Sequence, residues 1–141
     1  MRIGIPKEIK NHEYRVAATP ASVAELVRAG HEVAVQANAG HAIGYDDSAY
    51  QAVGALITPD LATLYRECEL IYKVKEPLAE EIPLLREGQI LFCYLHLAAA
   101  SELTRALLDR GVTAVAFETV MDAKGATPLL APMSQIAGRL A

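Results

Sequence analysis

The stretch Gln89-Ile90-Leu91-Phe92-Cys93-Tyr94-Leu95-His96-Leu97 is an apolar run that delivers a histidine near its end. It is far shorter than the ~20 apolar residues that a membrane-spanning helix needs, and it is typical of a strand buried on both faces. Such strands occur in parallel sheets, where the ligand crevice lies beyond their carboxyl ends. The run therefore predicts a buried parallel strand, with His96 at the edge where chemistry is expected.

Five more strand-like segments alternate with helical patterns around this run. The strands are predicted at residues 2–5, 31–36, 55–57, 70–75 and 112–117. The strongest helix signal begins with Thr19 as a cap and Pro20 at the first turn, and it stops at Gly30. Further helices are predicted from Asp46 or Asp47 to Gly54, from Thr58 through Tyr65, at 82–86, and at 100–110. This alternation predicts an α/β fold with a doubly wound, mostly parallel sheet and helices on both faces, Rossmann-like or flavodoxin-like.

Composition narrows the classes of function. The chain has 141 residues, enough for one domain with its own core. Its net charge is −4 and its 13 Lys and Arg residues are scattered, which argues against a nucleic-acid partner. The N-terminus has no long apolar segment and no stretch is long enough to span a membrane, so we expect a cytoplasmic protein without membrane contact. Cys68 and Cys93 lack the spacing of a metal or redox motif and are expected to be buried or inert.

Three separated residues carry candidate chemistry. His96 could act as a general acid or base, as imidazole side chains commonly do, although a solvated loop histidine is the alternative. Lys75 could bind a carboxylate or polarise a carbonyl, and Arg15 offers a planar fork suited to a two-oxygen anion, although each could also be a solvated charge. If the three converge at the carboxyl ends of parallel strands, they form a small-anion pocket suited to a 2-oxo or 2-amino acid.

The sequence lacks the usual phosphate-binding loops. It contains neither GxGxxG after a strand nor GxxxxGK[ST], so a nucleotide would be held mainly by residues elsewhere. Glu118 and Asp122 lie four residues apart, but such acids are more often solvated or capping than metal ligands, and no metal site is predicted. A helical pattern opens at Met133 and reaches the last residue without a stop signal, which suggests a fragment of a longer protein.

Five stretches form a recognisable combination: Met1–Lys10 (MRIGIPKEIK), Arg15–Pro20 (RVAATP), Val74–Pro77 (VKEP), Tyr94–Leu97 (YLHL) and Leu130–Ser134 (LAPMS). Together they resemble the N-terminal catalytic domain of the alanine dehydrogenase family, over essentially the whole chain. The first two stretches are shared with the related nicotinamide nucleotide transhydrogenases. The lysine, the histidine and the PMS stretch are what indicate alanine dehydrogenase.

The resemblance implies NAD-dependent, reversible conversion of L-alanine to pyruvate and ammonia. It implies that Arg15 and Lys75 bind the carboxylate and carbonyl of the substrate and that His96 is the acid/base. Met133 and Ser134 match residues near the nicotinamide of the cofactor. A second catalytic acid would come from a Rossmann domain outside this chain.

The same resemblance implies a division of the chain and an assembly. Residues 1–132 would form the substrate-binding and catalytic domain, and residues 133–141 would begin the helix that leads to the NAD domain. Members of the family are typically homohexamers, and residues 1–141 alone are not expected to turn over alanine. Two alternatives stay open: a transhydrogenase-like domain, and a folded module that binds or assembles without catalysis.

Overall fold

A six-stranded parallel sheet forms the centre of the computed structural model, which describes residues 1–140. Its strands, in chain order, are β1 (Arg2–Ile5), β2 (Glu32–Gln36), β3 (Leu56–Thr58), β4 (Leu70–Tyr72), β5 (Ile90–Cys93) and β6 (Thr113–Ala116). They lie in the order β3-β2-β1-β4-β5-β6, and all five pairings are parallel. The predicted fold class is confirmed, and the strand order is that of a Rossmann sheet.

Helices connect the strands as the sequence signals predict. They are α1 (Pro20–Arg28), α2 (Asp47–Gln51), α3 (Leu61–Glu67), α4 (Ser101–Asp109) and α5 (Ala131–Leu140), with single 3₁₀ turns at His41–Ile43, Ile82–Leu84, Leu97–Ala99 and Phe117–Thr119. At the start of α1 the hydroxyl of Thr19 accepts the Ser22 N–H at 3.4 Å, and Gly30 follows the helix with a φ of +87°. The cap and the glycine stop therefore act where the pattern placed them.

The helices cover both faces of the sheet because alternate strand residues point to opposite sides. Val33 and Val35 of β2 pack in one core cluster with Val23 of α1. Ala34, between them, packs in another cluster with Leu64 of α3. The central strands are thus buried on both sides, as their apolar runs require.

The sheet face on which α1 and α2 pack is covered by aromatic side chains from β4 onward. An aromatic cluster lies there, formed by Tyr72, Phe92, Tyr94 and Phe117. The rings of Phe92 and Phe117 meet edge-to-face with centroids 4.4 Å apart, a favoured geometry for aromatic pairs. Rigid rings therefore support the segment that leads from β5 to His96.

Two strands end earlier than predicted. β4 stops at Tyr72 instead of reaching Lys75, and β5 stops at Cys93 instead of continuing to His96. The reason is that side-chain carboxylates take over the backbone N–H groups that a neighbouring strand would otherwise bind. Glu8 accepts the N–H of Val74 at 2.6 Å, and Glu118 accepts the N–H of His96 at 2.6 Å.

The C-terminal helix α5 begins at Ala131, two residues before the predicted boundary at 133. The division into residues 1–132 and 133–141 stays a prediction, and its last residue, Ala141, lies outside the described residues. None of the helices in residues 1–140 is long and apolar enough to cross a membrane.

Candidate active site

The sheet order reverses between β1 and β4, and the loops that follow these two strands meet at the carboxyl edge. In open α/β sheets this switch point is where ligands bind. The two loops are tied together by an ion pair between Lys10 and Glu76. A second tie is the hydrogen bond from the Val74 N–H to Glu8. The fold therefore holds the loop that carries Arg15 against the segment that carries Lys75.

Lys75 and His96 lie on neighbouring segments. Backbone hydrogen bonds from Lys73 N–H to Phe92 O (3.1 Å) and from Tyr94 N–H to Val74 O (3.0 Å) continue the pairing of β4 and β5 past the strand ends. Lys75 is half-buried, and among residues 1–140 its ammonium group has no carboxylate partner. A half-buried cation without an internal partner is suited to binding an anionic ligand.

His96 has an unusual backbone. Its φ of 53° and ψ of 36° lie in the left-handed region, which side chains other than glycine seldom adopt. Its exposed imidazole stacks on the ring of Tyr94, with centroids 6.1 Å apart and an interplanar angle of 26°. Backbone conformations of this kind concentrate at functional sites, where the surrounding structure must hold them.

Glu118 holds this backbone from the adjacent strand end. One of its oxygens accepts the His96 N–H at 2.6 Å, and both lie 3.3 Å from the Leu95 N–H. Burial alone would raise the pKa of Glu118, but backbone N–H hydrogen bonds, including those from His96 and Leu95, outweigh it and lower that pKa. The group is therefore a carboxylate at neutral pH.

Arg15 is already engaged by Glu13. Its Nε and Nη2 donate to the two Glu13 oxygens at 2.8 and 2.6 Å. These side-chain hydrogen bonds lower the pKa of Glu13 and raise the pKa of Arg15. The remaining guanidinium nitrogen, Nη1, lies 3.5 Å from the Met133 sulfur. The fork suggested by the sequence is occupied along its Nε–Nη2 edge, and the Nη1 end, with the second hydrogen on Nη2, is left for a ligand.

The candidate residues border three cavities rather than one, and Arg15 lines two of them, one of about 400 Å³ with Glu8 and Glu13. Arg15 and Met133 line a cavity of about 270 Å³ together with Tyr94. His96 and Glu118 line a neighbouring cavity of about 380 Å³. Tyr94 joins these last two cavities, because its ring stacks on His96 while its hydroxyl donates to Leu129 O at 2.6 Å. Lys75 lines none of the three cavities, and Ser134 lies exposed in the first turns of α5.

A buried ionic cluster lies behind Lys75 and was not predicted. Lys73 is 1% exposed, and its Nζ donates to the two oxygens of Glu81 at 2.6 and 2.7 Å. The Tyr65 hydroxyl donates to the same carboxylate at 2.9 Å, and a Glu8 oxygen lies 3.7 Å from Lys73 Nζ. Burial raises the pKa of Glu8, and the Lys73 charge opposes that rise only in part. The sequence signal for this cluster was the presence of Tyr65, Lys73 and Glu81 in or beside apolar stretches.

The acids considered as metal ligands have other partners. Glu118 accepts backbone N–H groups, and Asp122 accepts the N–H groups of Lys124 and Ala126 at 2.8 and 2.9 Å in a turn. Among residues 1–140, no three His, Cys, Asp or Glu side chains are grouped as metal ligands would be. The site consists of cations, an imidazole and the carboxylates that hold them.

Comparison with known proteins places the chain in a family. Residues 4–137 match the family described as alanine dehydrogenase/PNT, N-terminal domain. The alanine dehydrogenase of Halomonas elongata is 56% identical over 141 residues, which are 100% of this chain and 38% of that protein. The alanine dehydrogenase of Bacillus subtilis is 51% identical over 141 residues, covering 100% of this chain and 37% of that protein. The chain thus spans well under half the length of these relatives.

Solved structures agree with these matches. An L-alanine dehydrogenase structure superimposes with a TM-score of 0.94 at 50% identity, covering 99% of this chain and 38% of that one. A transhydrogenase from Sinorhizobium meliloti superimposes with a TM-score of 0.80 at 30% identity, covering 87% of this chain and 36% of that one. The chain belongs to the alanine dehydrogenase/PNT family, whose N-terminal domain it forms.

Proposed function

We propose that this chain is the substrate-binding and catalytic domain of an NAD-dependent L-alanine dehydrogenase. The reaction is L-alanine, NAD⁺ and water to pyruvate, ammonium, NADH and a proton, and it is reversible. The observation that carries the proposal is the placement of Arg15, Lys75 and His96 after neighbouring strands at the switch point of the sheet. This placement occurs in a chain 56% identical to a protein named alanine dehydrogenase.

The two cations bind the substrate. The Nη1 end of Arg15 takes one carboxylate oxygen, while Glu13 keeps the guanidinium plane fixed. Lys75 reaches the carboxylate and the neighbouring carbonyl oxygen, where its charge stabilises the negative charge that develops in the transition state. Holding the substrate at two points orients its Cα and contributes to rate through proximity.

His96 moves the protons. Oxidation of the amine leaves an iminium, and its hydrolysis needs a base that takes a proton from the attacking water and an acid that returns a proton to the departing nitrogen. An imidazole does both near neutral pH. The stack on Tyr94 and the hydrogen bond from its backbone to Glu118 keep the ring in one place.

NAD is the cofactor of the proposed reaction, and it accepts a hydride from the substrate Cα when bound. Two residues of the chain are proposed to contact it. Met133, 41% exposed in α5, presents a thioether beside Arg15, and Ser134 exposes a hydroxyl on the next residue. These two residues would lie beside the nicotinamide of a bound cofactor. The phosphates would be held by residues outside this chain, since it has no glycine-rich loop.

The remaining parts of the proposal concern the whole protein. We propose residues 1–132 as the substrate domain and residues 133–141 as the start of the link to an NAD-binding Rossmann domain. We also propose a cytoplasmic homohexamer. The transhydrogenase alternative has weaker support, because that relative is 30% identical and the alanine dehydrogenases are 51–56% identical.

The direct test is an activity assay of the full-length protein that contains this chain. We expect NADH formation with L-alanine and NAD⁺, and NADH consumption with pyruvate and ammonium. Residues 1–141 alone are the control and are expected to show neither reaction. Hydride exchange between nicotinamide nucleotides without any reaction of alanine would contradict the proposal and favour the transhydrogenase alternative.

A further inference from the structure

Three glutamates share one relation to the three proposed site residues. Each accepts a hydrogen bond from the backbone N–H of a different one. Glu13 accepts the N–H of Arg15 at 3.0 Å, and Glu118 accepts that of His96 at 2.6 Å. Glu8 accepts the N–H of Val74 at 2.6 Å and lies 3.4 Å from the N–H of Lys75.

These contacts join parts of the chain that are distant in sequence. Glu8 follows β1 and reaches a segment 66 residues away, and Glu118 follows β6 and reaches back 22 residues. Both bind a segment just after it has left its strand, at N–H groups other than those that continue the pairing of β4 and β5. By accepting these N–H groups at 2.6 Å, the two side chains hold the backbone of both segments.

The need for such fixing is greatest at His96. A left-handed backbone is unfavourable for a residue with a side chain, and it persists only when the surroundings determine it. Glu118 supplies that determination by binding two consecutive N–H groups, those of Leu95 and His96. Without it, the segment can relax to an ordinary conformation that points the imidazole elsewhere.

The carboxyl group of Glu8 lies where burial is costly for its charged form. It is 7% exposed, and its second oxygen has no hydrogen-bond partner within residues 1–140. Lys73, 3.7 Å away, is the nearest balancing charge, and the Lys73–Glu81 pair is itself buried. A buried, half-satisfied carboxylate is poor for stability alone, which is consistent with a role in placing Lys75.

We propose that Glu8, Glu13 and Glu118 are positioning residues that set the backbone of Lys75, Arg15 and His96. The inference rests on the proposed function, since it concerns the same reaction. The glutamates touch the backbone of the site residues and act through them.

Three replacements of Glu118 give the decisive test, because they separate the effect of side-chain length from the effect of side-chain charge. Gln keeps the length and one acceptor oxygen but removes the charge. Asp keeps the charge but shortens the reach, and Ala removes both. In the full-length protein we expect Glu118→Ala and Glu118→Asp to lower kcat by roughly 10- to 100-fold, because small displacements of a catalytic group cost that much. Glu118→Gln should recover most of that loss.

The Michaelis constant separates positioning from general damage. Arg15 and Lys75 bind the substrate carboxylate, so the Glu118 variants should leave KM for pyruvate nearly unchanged. Glu8→Gln, which keeps an acceptor for Val74 and Lys75, should alter kcat and KM less than Glu8→Ala does. Glu25→Ala is the matched control, because Glu25 is exposed on α1, 72% by its side chain, and lies outside the site.

Three results would overturn the inference. If Glu118→Asp stays active while Glu118→Gln does not, Glu118 acts through its charge. If all Glu118 variants keep kcat while His96→Ala loses it, the glutamate does not position the histidine and the proposed function still stands. If His96→Ala itself keeps kcat, His96 is not the acid/base, and the inference for Glu118 fails with it whatever the glutamate variants do.

Discussion

Lys73 and Lys75 lie two residues apart after the same strand, yet they belong to different regions of the molecule. Lys73 points into the core, 1% exposed, and its charge is matched by Glu81 and Glu8. Lys75 lies half-buried at the carboxyl edge of the sheet, where its ammonium group has no carboxylate partner among residues 1–140. The charge of Lys73 is paired within the fold, and the charge of Lys75 is available to a ligand.

The difference shows how one segment serves stability and function together. The alternation of side chains sends neighbouring lysines to the same side, but the chain leaves β4 at Tyr72 and turns between them. The buried region, Lys73 with Glu81 and Glu8, anchors the segment from behind. The site region, Lys75 with Arg15 and His96, uses the fixed backbone in front. Substitutions in the two regions should therefore affect different measurements.

The largest expected effect on stability comes from Lys73. Lys73→Met leaves Glu81 and Glu8 buried without their cation, and losing one partner of a buried pair costs about 3–5 kcal/mol. Lys75→Met should change the free energy of unfolding by about 0.5 kcal/mol or less, as for a surface substitution. Urea denaturation of both variants beside the unchanged protein measures this. Equal destabilisation by the two would show that the regions are not distinct.

The same Lys75→Met variant should lose activity while it keeps its fold. Lys75 is proposed to touch the carboxylate in the bound substrate and the carbonyl oxygen in the transition state, so both KM and kcat should worsen. Steady-state kinetics of the full-length protein with pyruvate, ammonium and NADH measure both. Unchanged kcat in a folded Lys75→Met protein would remove Lys75 from the chemistry.

Arg15→Lys should have a smaller effect, confined to binding. A lysine keeps the positive charge but loses the planar geometry by which Arg15 binds Glu13 and the substrate at once. We expect KM for pyruvate to rise by roughly 10-fold, about the worth of one charged hydrogen bond, with kcat little changed. A fall in kcat without a change in KM would mean that Arg15 does not hold the substrate.

The smallest expected effects are changes in the stability of the fold with pH, and they have opposite signs in the two regions. The folded-state pKa of Glu8 is raised above 4.5 by burial, so the fold loses stability as pH rises through that raised value. Glu8→Gln does not titrate, and its stability relative to the unchanged protein should improve over that pH range.

The pKa of Glu13 is lowered below 4.5 by its hydrogen bonds with Arg15. Its contribution to stability is present above 4.5 and is lost as pH falls through the lowered value. Glu13→Gln should therefore cost stability at neutral pH and cost less in acid. Denaturation curves from pH 3 to 7 give both slopes, and equal signs would contradict the contrast between the regions.

The fold was predictable because its signals are local. Thr19, Pro20 and Gly30 bound α1, and apolar runs separated by turn residues locate the strands. The ends of β4 and β5 were not predictable, since Glu8 and Glu118 set them from 66 and 22 residues away. Local pattern carries no information about such contacts.

The positions of the candidate site residues in the fold could be predicted from the sequence, and the contacts around them could not; their roles remain a proposal. Arg15, Lys75 and His96 follow strands, and that position alone marked them. Two features depend on tertiary packing. One is the ion pair of Arg15 with Glu13, and the other is the burial of Lys73 close to the half-buried Lys75. Lys73 and Lys75 look alike in sequence, and the buried partners Glu81 and Glu8 are what distinguish Lys73.

The most direct test of the proposed chemistry is the kinetics of His96→Ala in the full-length protein. Proton transfer contributes roughly 10²- to 10⁴-fold in rate, and Arg15 and Lys75 hold the carboxylate without the imidazole. The account predicts a fall in kcat of that size with KM for pyruvate little changed. A variant in which KM rises and kcat stays intact would contradict it, because His96 would then bind the substrate and not move its protons.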